Sequence, residues 1–345
     1  MFKKLLFLVL VFPHAMMAEV DFRVENTNIT IDENHLYNYD RLRFYTDYTQ
    51  DNFFGTFIVD SVNYYGHNYI NSNDFNYLKL SKSDTLFLTQ SNFYNYYEGS
   101  IYAKLYRAYV GYEDDKNRVV AGLLNITMGV GRIWNPTNLF NPKNIYALEP
   151  DEVFGVTGIS YTRDIDETSH IKVVVSQKAD HSFKYSGQYR TFLEFGDIGV
   201  DLVSSDDTKM VGYEIEANLA DTGVEVRSEG AYIKSTLKNA EDIEFFQGIV
   251  GADYGFVNGI TLIAEALYSS ETFSYEEIML NFESEIVQNM VHSNFYTALS
   301  ISYSFNIFLD ASLTYIESFN DSNARFISPT LTYTLNDYNS FSVPK

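Results

Sequence analysis

The sequence predicts an all-β fold: a transmembrane, antiparallel, up-and-down β-barrel of about 16–18 strands. Three observations predict it. Apolar and polar residues alternate with period 2 in runs of about ten residues. Aromatic residues make up 17 % of the chain, mostly 29 Tyr and 27 Phe, as girdles at two membrane interfaces would require. Connections between the runs alternate short and long, as periplasmic turns and external loops do in bacterial barrels.

The N-terminus reads as an export signal. Lys3 and Lys4 precede the apolar run Leu5–Phe12, and Met16-Met17-Ala18 ends on a small residue. Residues 1–18 are therefore expected to be a cleaved signal peptide, its apolar run being too short to span a bilayer. The mature chain, 19–345, is expected to be one outer-membrane β-barrel.

Individual strands carry the alternation. Arg41–Tyr48 sets Arg41, Arg43, Tyr45 and Asp47 against Leu42, Phe44, Thr46 and Tyr48. Met210–Leu219 sets Val211, Tyr213 and Ile215 against Gly212, Glu214 and Glu216. Phe295–Phe305, Ile307–Tyr315 and Ile260–Tyr268 behave likewise. A soluble β-sandwich also alternates, with its apolar face inward. Long strands, apolar faces ending in Tyr or Phe, and charge on the polar faces favour the barrel.

Short connections are expected at Glu113–Asn117, Arg163–Thr168, Gly196-Asp197, Ala220–Gly223, Val257–Gly259 and Asn306. The interleaved series is longer and includes 129–152 and 271–291. Strands before this series are placed at Asp21–Thr30, Asn38–Tyr48, Phe53–Tyr64, Asn76–Ser81, Leu86–Phe93 and Ser100–Tyr112. Tyr64–Ser100 is the least regular stretch. Lys104 and Arg107 fall on opposite faces of one strand, which calls for a bulge or an interfacial position. At the C-terminus, Arg325–Leu335 reads as a strand, Asn336–Asn339 as a turn, and Phe341–Val343 as renewed alternation before Pro344-Lys345. The expectation is a barrel incomplete at the C-terminus; the alternative is a tail after a closed barrel.

Composition excludes several functions. With no Cys there is no disulfide framework, thiolate metal site or Cys nucleophile. The formal charge is −22, and loss of Lys3 and Lys4 takes it to −24, which argues against nucleic acid and anionic surfaces as partners. The six His show no metal-ligand spacing. His292, Ser293 and Asn294 are adjacent on a strand, so Ser293 faces away from the other two and no catalytic unit forms. No enzyme, metal or cofactor is expected; the partners are the lipid bilayer and small hydrophilic solutes.

Two charge-bearing regions remain. Inward-facing charges are expected at Arg41, Arg43, Lys172, Arg190, Glu194, Glu214, Glu216, Glu225, Arg227, Glu229 and Glu265. They would give either a water-filled, charge-selective lumen or a plug of paired charges. In 271–291, Glu276, Glu277, Glu283 and Glu285 lie among apolar residues. That stretch reads as a solvated external loop or as a short amphipathic helix at the mouth.

The segment Gly129–Pro142, GVGRIWNPTNLFNP, holds the single Trp. Asn135-Pro136 and Asn141-Pro142 are turn initiators, because Asn side chains bond local backbone and Pro fixes φ. With Trp134, Leu139 and Phe140 around them, they predict a compact loop docked on the sheet. Together with Gly122, Met128 and Gly129 this segment resembles a loop of proteobacterial outer-membrane porin-like barrels, of the form W-G-x-G-x-x-W-N-P-T-D-x-F-N-P. Here Leu123 stands where that group often has Arg, Met128 where it has Trp, and Asn138 where it has Asp. The resemblance implies a porin-like channel and gives no substrate. The expected solute contacts are Arg132, Trp134, Asn135, Asn138 and Asn141, with Glu149, Asp151 and Glu152 closing the loop. The alternative for the loop is a rigid lid that stabilises the rim, and for the chain a non-conducting structural or assembly barrel.

Overall fold

The structure, a computed structural model, describes residues 19–32, 35–80, 82–141, 152–319, 324–336 and 339–344. The expected signal peptide, Pro142, Glu149 and Asp151 lie outside these residues. Among the described residues the fold is all-β, with eighteen strands and three short α-helices, and the strands pair antiparallel, mostly with neighbours in chain order. Contacts divide the chain into two compact units. Of the described residues, one unit takes those within 19–125, 152–161 and 177–181, and the other those within 126–141, 162–176 and 182–344.

In the first unit, β1 (Glu19–Asp32), β2 (Leu36–Gln50) and β3 (Phe53–Tyr65) form a meander. Of the expected strand Asn76–Ser81, residues 76–80 are instead helical and Ser81 lies outside the described residues. α1 (His67–Ile70) and α2 (Asn73–Leu80) follow β3. Ser72 Oγ accepts from Phe75 N–H at 3.2 Å, opening α2 as an N-cap does. The i, i+3 pair Phe75 and Leu78 is buried against Tyr39, Tyr64 and Tyr69, and Tyr37 stacks on Tyr69 at 3.6 Å. This aromatic cluster overrides the local strand propensity.

Next come β4 (Tyr94–Tyr96), β5 (Gly99–Glu113) and β6 (Asn117–Leu124). β5 lies along β3 for its whole length. Its other edge is shared: β6 covers Ala108–Glu113, and β4 covers Gly99–Ile101. The expected strand Leu86–Phe93 is irregular, but Ser91 N–H donates to Ala103 and Leu105 N–H to Thr89. With that edge occupied, β6 stops at Leu124. The anticipated bulge is present. Ile58 pairs with Arg107 and Val59 with Leu105, leaving Tyr106 as the extra residue, so Lys104 and Arg107 are both buried.

β7 (Val156–Asp164) and β8 (Ser169–Gln177) follow. The second unit continues as one meander: β9 (Phe183–Leu193), β10 (Gly196–Ser204), β11 (Thr208–Asn218), β12 (Val224–Thr236), β13 (Asp242–Gly255) and β14 (Ile260–Ser269). It ends with β15 (Phe295–Asn306), β16 (Leu309–Ser318), β17 (Arg325–Asn336) and β18 (Asn339–Pro344). The renewed C-terminal alternation thus forms a strand paired with β17, while β1 pairs with β2.

The faces of this sheet decide between the two all-β readings. On β10, Val200 (45 %) and Leu202 (53 %) are exposed, whereas Asp201 between them is wholly buried. On β11, Val211 and Tyr213 are exposed while Glu214 is buried. A soluble sandwich would bury the first kind and expose the second. Apolar outside and charged inside is the pattern of a sheet built to face lipid.

Candidate functional site

The site grows from a register problem. Glu214 on β11 stands directly opposite Glu229 on β12, and Glu265 on β14 stands opposite Gly251, itself opposite Arg227. Like charges facing each other across a ladder are destabilising, and a buried carboxylate without partners is more so. All three glutamates are buried, Glu229 completely.

Most of their partners come from the backbone of the loop after β6. Gly129 N–H donates to Glu214. Val130 and Gly131 N–H donate to Glu229 at 2.8 and 3.0 Å. Arg132, Ile133 and Trp134 N–H donate to Glu265 at 3.0, 3.1 and 2.8 Å. Thr137 adds its N–H and its hydroxyl to Glu229 at 2.7 and 2.8 Å. Every backbone amide from 129 to 134 is therefore spent on a carboxylate of the sheet, an anion-binding nest in which the protein supplies its own anions. Hydrogen bonds to charged groups are the stronger kind, about 1.5–3 kcal/mol each.

Glycines permit this approach. Gly129 has φ +90°, and a Cβ there would sit 1.8 Å from Asn135 Oδ1. A Cβ on Gly131 would lie 1.7 Å from the Trp134 carbonyl oxygen, and one on Gly212 of β11 would lie 2.6 Å from Thr137 Cγ2. The rest of the loop packs as its aromatic content predicts. Met128, Leu139 and Phe140 are buried, Asn138 N–H closes a turn onto Asn135 O at 3.2 Å, and Asn141 Oδ1 accepts from Ile126 N–H at 2.5 Å.

The second long loop fastens the first. It spans 270–294 and contains α3 (Tyr275–Leu280), opened by a capping box between Ser274 and Glu277. Ser274 N–H and Oγ both bond the Glu277 carboxylate, which holds that carboxyl below the usual glutamate range. Asn289 Nδ2 donates to Pro136 O and to Gln247 Oε1, both at 2.9 Å, and Gln288 donates to Asn138 O. Glu285 is buried beside Lys184 at 3.2 Å, and Lys184 also donates to Leu139 O at 2.8 Å. A freely solvated loop is thus corrected to a packed one, because Phe273, Ile286 and Met290 are buried. Among the described residues no group of three or more His, Asp or Glu is arranged to hold a metal.

Several expected site residues are reassigned. Arg132 reaches Glu216, Glu225 and Asp253 at 3.3, 2.8 and 3.3 Å. Trp134 is half-buried, with its ring 6.0 Å from that of Tyr296. Arg190 pairs with Glu214 and Arg227 with Asp253, and Lys172 donates to Thr127 O at 3.4 Å. Glu194 is not a sheet charge. The turn falls at Glu194-Phe195 instead of Gly196-Asp197, leaving Glu194 exposed.

Glu152 belongs to a separate cluster in the first unit. It pairs with Arg41 and Arg43 at 2.7 Å each and with Lys104 at 3.6 Å. Arg43 also holds Asp60 through two bonds of 2.6 and 2.7 Å. Arg107 lies over the Tyr106 ring at 4.0 Å.

Asp60, Asp201, Asp253 and Lys184 were missed. Asp60 and Asp201 follow from strict alternation on β3 and β10. Asp253 follows from alternation two positions beyond Gly251. Lys184 needed the loop contact.

No protein-family model matches the sequence, and no curated protein shows significant sequence similarity to it. Solved structures do match its fold. OccAB1 of Acinetobacter baumannii aligns over 95 % of this chain and 90 % of its own, at 10 % identity and a TM-score of 0.56. OpdK of Pseudomonas aeruginosa aligns over 95 % and 92 %, at 9 % identity and a TM-score of 0.57. A second OpdK structure, with vanillate, covers the same shares at 10 % identity and a TM-score of 0.55. The chain shares the β-barrel fold of these structures.

Proposed function

We propose that this chain is an outer-membrane, porin-like channel for passive diffusion of small hydrophilic solutes. The polar face of the sheet lines the path, and the loop 126–141 narrows it. The observation that carries this reading is the run of six amides, 129–134, bonded to Glu214, Glu229 and Glu265. A loop pinned along its backbone to the charged face of a lipid-facing sheet is held where solutes would pass. Such fixed dipoles and charges select by width and field, and no cofactor is needed.

The preference is for cations or neutral solutes. Glu214, Glu229 and Glu265 are taken up as loop anchors, so the sign is set by the partly exposed Glu216 and Glu225 around Arg132. Signal-peptide cleavage before Glu19 delivers the chain to the outer membrane. OpdK has been solved with vanillate, which sets the size class of solute to try first.

Liposome swelling tests the reading. Reconstituted protein is expected to admit small neutral polyols and monosaccharides, with rates falling steeply for disaccharides. Swelling no faster than in empty liposomes would favour the non-conducting structural barrel.

A further inference from the structure

Arg132 is held differently at its two ends. Its backbone N–H is fixed to Glu265 at 3.0 Å. Its side chain is 45 % exposed and spans three strands, meeting Glu225 of β12 at 2.8 Å and Glu216 of β11 and Asp253 of β13 at 3.3 Å. Arg227 lies within the same cluster with its side chain wholly buried. It pairs with Asp253 and lies 3.6 Å from Glu225 and 3.7 Å from Glu265.

The two guanidiniums therefore have different freedom. Arg227 is locked by burial. Arg132 is joined to Glu216 and Glu225, which are 25 % and 34 % exposed, and pairs open to water are weak and readily broken. Four carboxylates against two guanidiniums leave the cluster at −2; without Arg132 it stands at −3, with the new charge on the solvent-facing members.

We propose that Arg132 is the charge-selectivity residue of the channel, a tethered counter-cation that masks Glu216, Glu225 and Asp253 from passing solutes. The assignment rests on the channel reading above. Its anchor and its charge are separable, because the backbone contact to Glu265 survives replacement of the side chain.

The test is the reversal potential of the full chain in planar bilayers under a KCl gradient. Arg132→Gln is expected to raise the K⁺/Cl⁻ permeability ratio roughly three- to tenfold near 0.1 M salt, the effect of unmasking one charge at contact distance. The rise should shrink toward unity near 1 M, where the screening length falls to about 3 Å. Arg132→Lys should restore the original ratio. Adding Glu216→Gln and Glu225→Gln to Arg132→Gln should cancel the rise. A conducting Arg132→Gln protein with an unchanged ratio at 0.1 M overturns the assignment alone. So does a raised ratio that persists in the triple variant, since a loosened loop would then be the cause. A chain that carries no current overturns the channel reading and the assignment with it.

Discussion

Glu229→Gln probes the loop anchor most sharply. One carboxylate oxygen of Glu229 accepts from Val130 and Gly131, the other from the N–H and hydroxyl of Thr137. An amide keeps one oxygen and turns an NH₂ toward the other pair of donors. Two hydrogen bonds to a charged acceptor are lost, and each is worth about 1.5–3 kcal/mol. Water and a shift of the loop recover part of that, leaving a net loss of about 3 kcal/mol, or roughly a hundredfold in the local opening equilibrium. Amide hydrogen exchange reads this directly. Exchange at Val130 and Gly131, or at Thr137, should accelerate about a hundredfold while the amides of β11 and β12 keep their protection. Unchanged exchange at all three loop positions would refute the claim that Glu229 holds the loop.

Other predictions follow from the same geometry. Gly131→Ala puts a Cβ 1.7 Å from the Trp134 carbonyl oxygen; the refolding yield and unfolding midpoint should drop, by about 1–3 kcal/mol of stability. Glu265→Gln weakens the anchor of Trp134, the single Trp of the chain, so its fluorescence emission should move to longer wavelength, and an unmoved emission maximum counts against that anchor. The Glu277 carboxyl is held below the usual range by Ser274, so its contribution to α3 is present above the unfolded-state pKa and is lost as pH falls through the lower folded-state value. Exchange protection of Ile278 and Asn281 should therefore fall only on acidification below the ordinary glutamate range, and Glu277→Gln should abolish that dependence.

The sheet was legible in the sequence because period-2 alternation is a local signal. Met210–Leu219 and Phe295–Phe305 placed β11 and β15 within two residues. Alternation puts the acidic residues Glu214, Glu229 and Glu265 on the polar faces of their strands, as charges of an open lumen or of a paired plug, and does not show them as loop anchors. Their partners in 129–134 are backbone amides, which no residue type announces, so only the fold could join them to that segment. Glu194 failed because a two-residue slip of the turn moves a residue out of the sheet altogether. The helices at 67–80 failed for the opposite reason. The Ser72–Phe75 start and the buried i, i+3 pair were present in the sequence, but their reward is contact with Tyr39 and Tyr64, distant in sequence. Lys104 and Arg107 showed that a local irregularity can be read correctly, since two charges on opposite faces of one strand need the extra residue that Tyr106 supplies.

The most direct test of the account is single-channel recording of the wild-type chain beside the Glu229→Gln/Glu265→Gln double variant. A pinned loop that narrows a channel predicts discrete conductance steps in the wild type and larger, noisier steps once seven of its anchoring bonds are weakened. No steps in either protein, or identical steps in both, would contradict it.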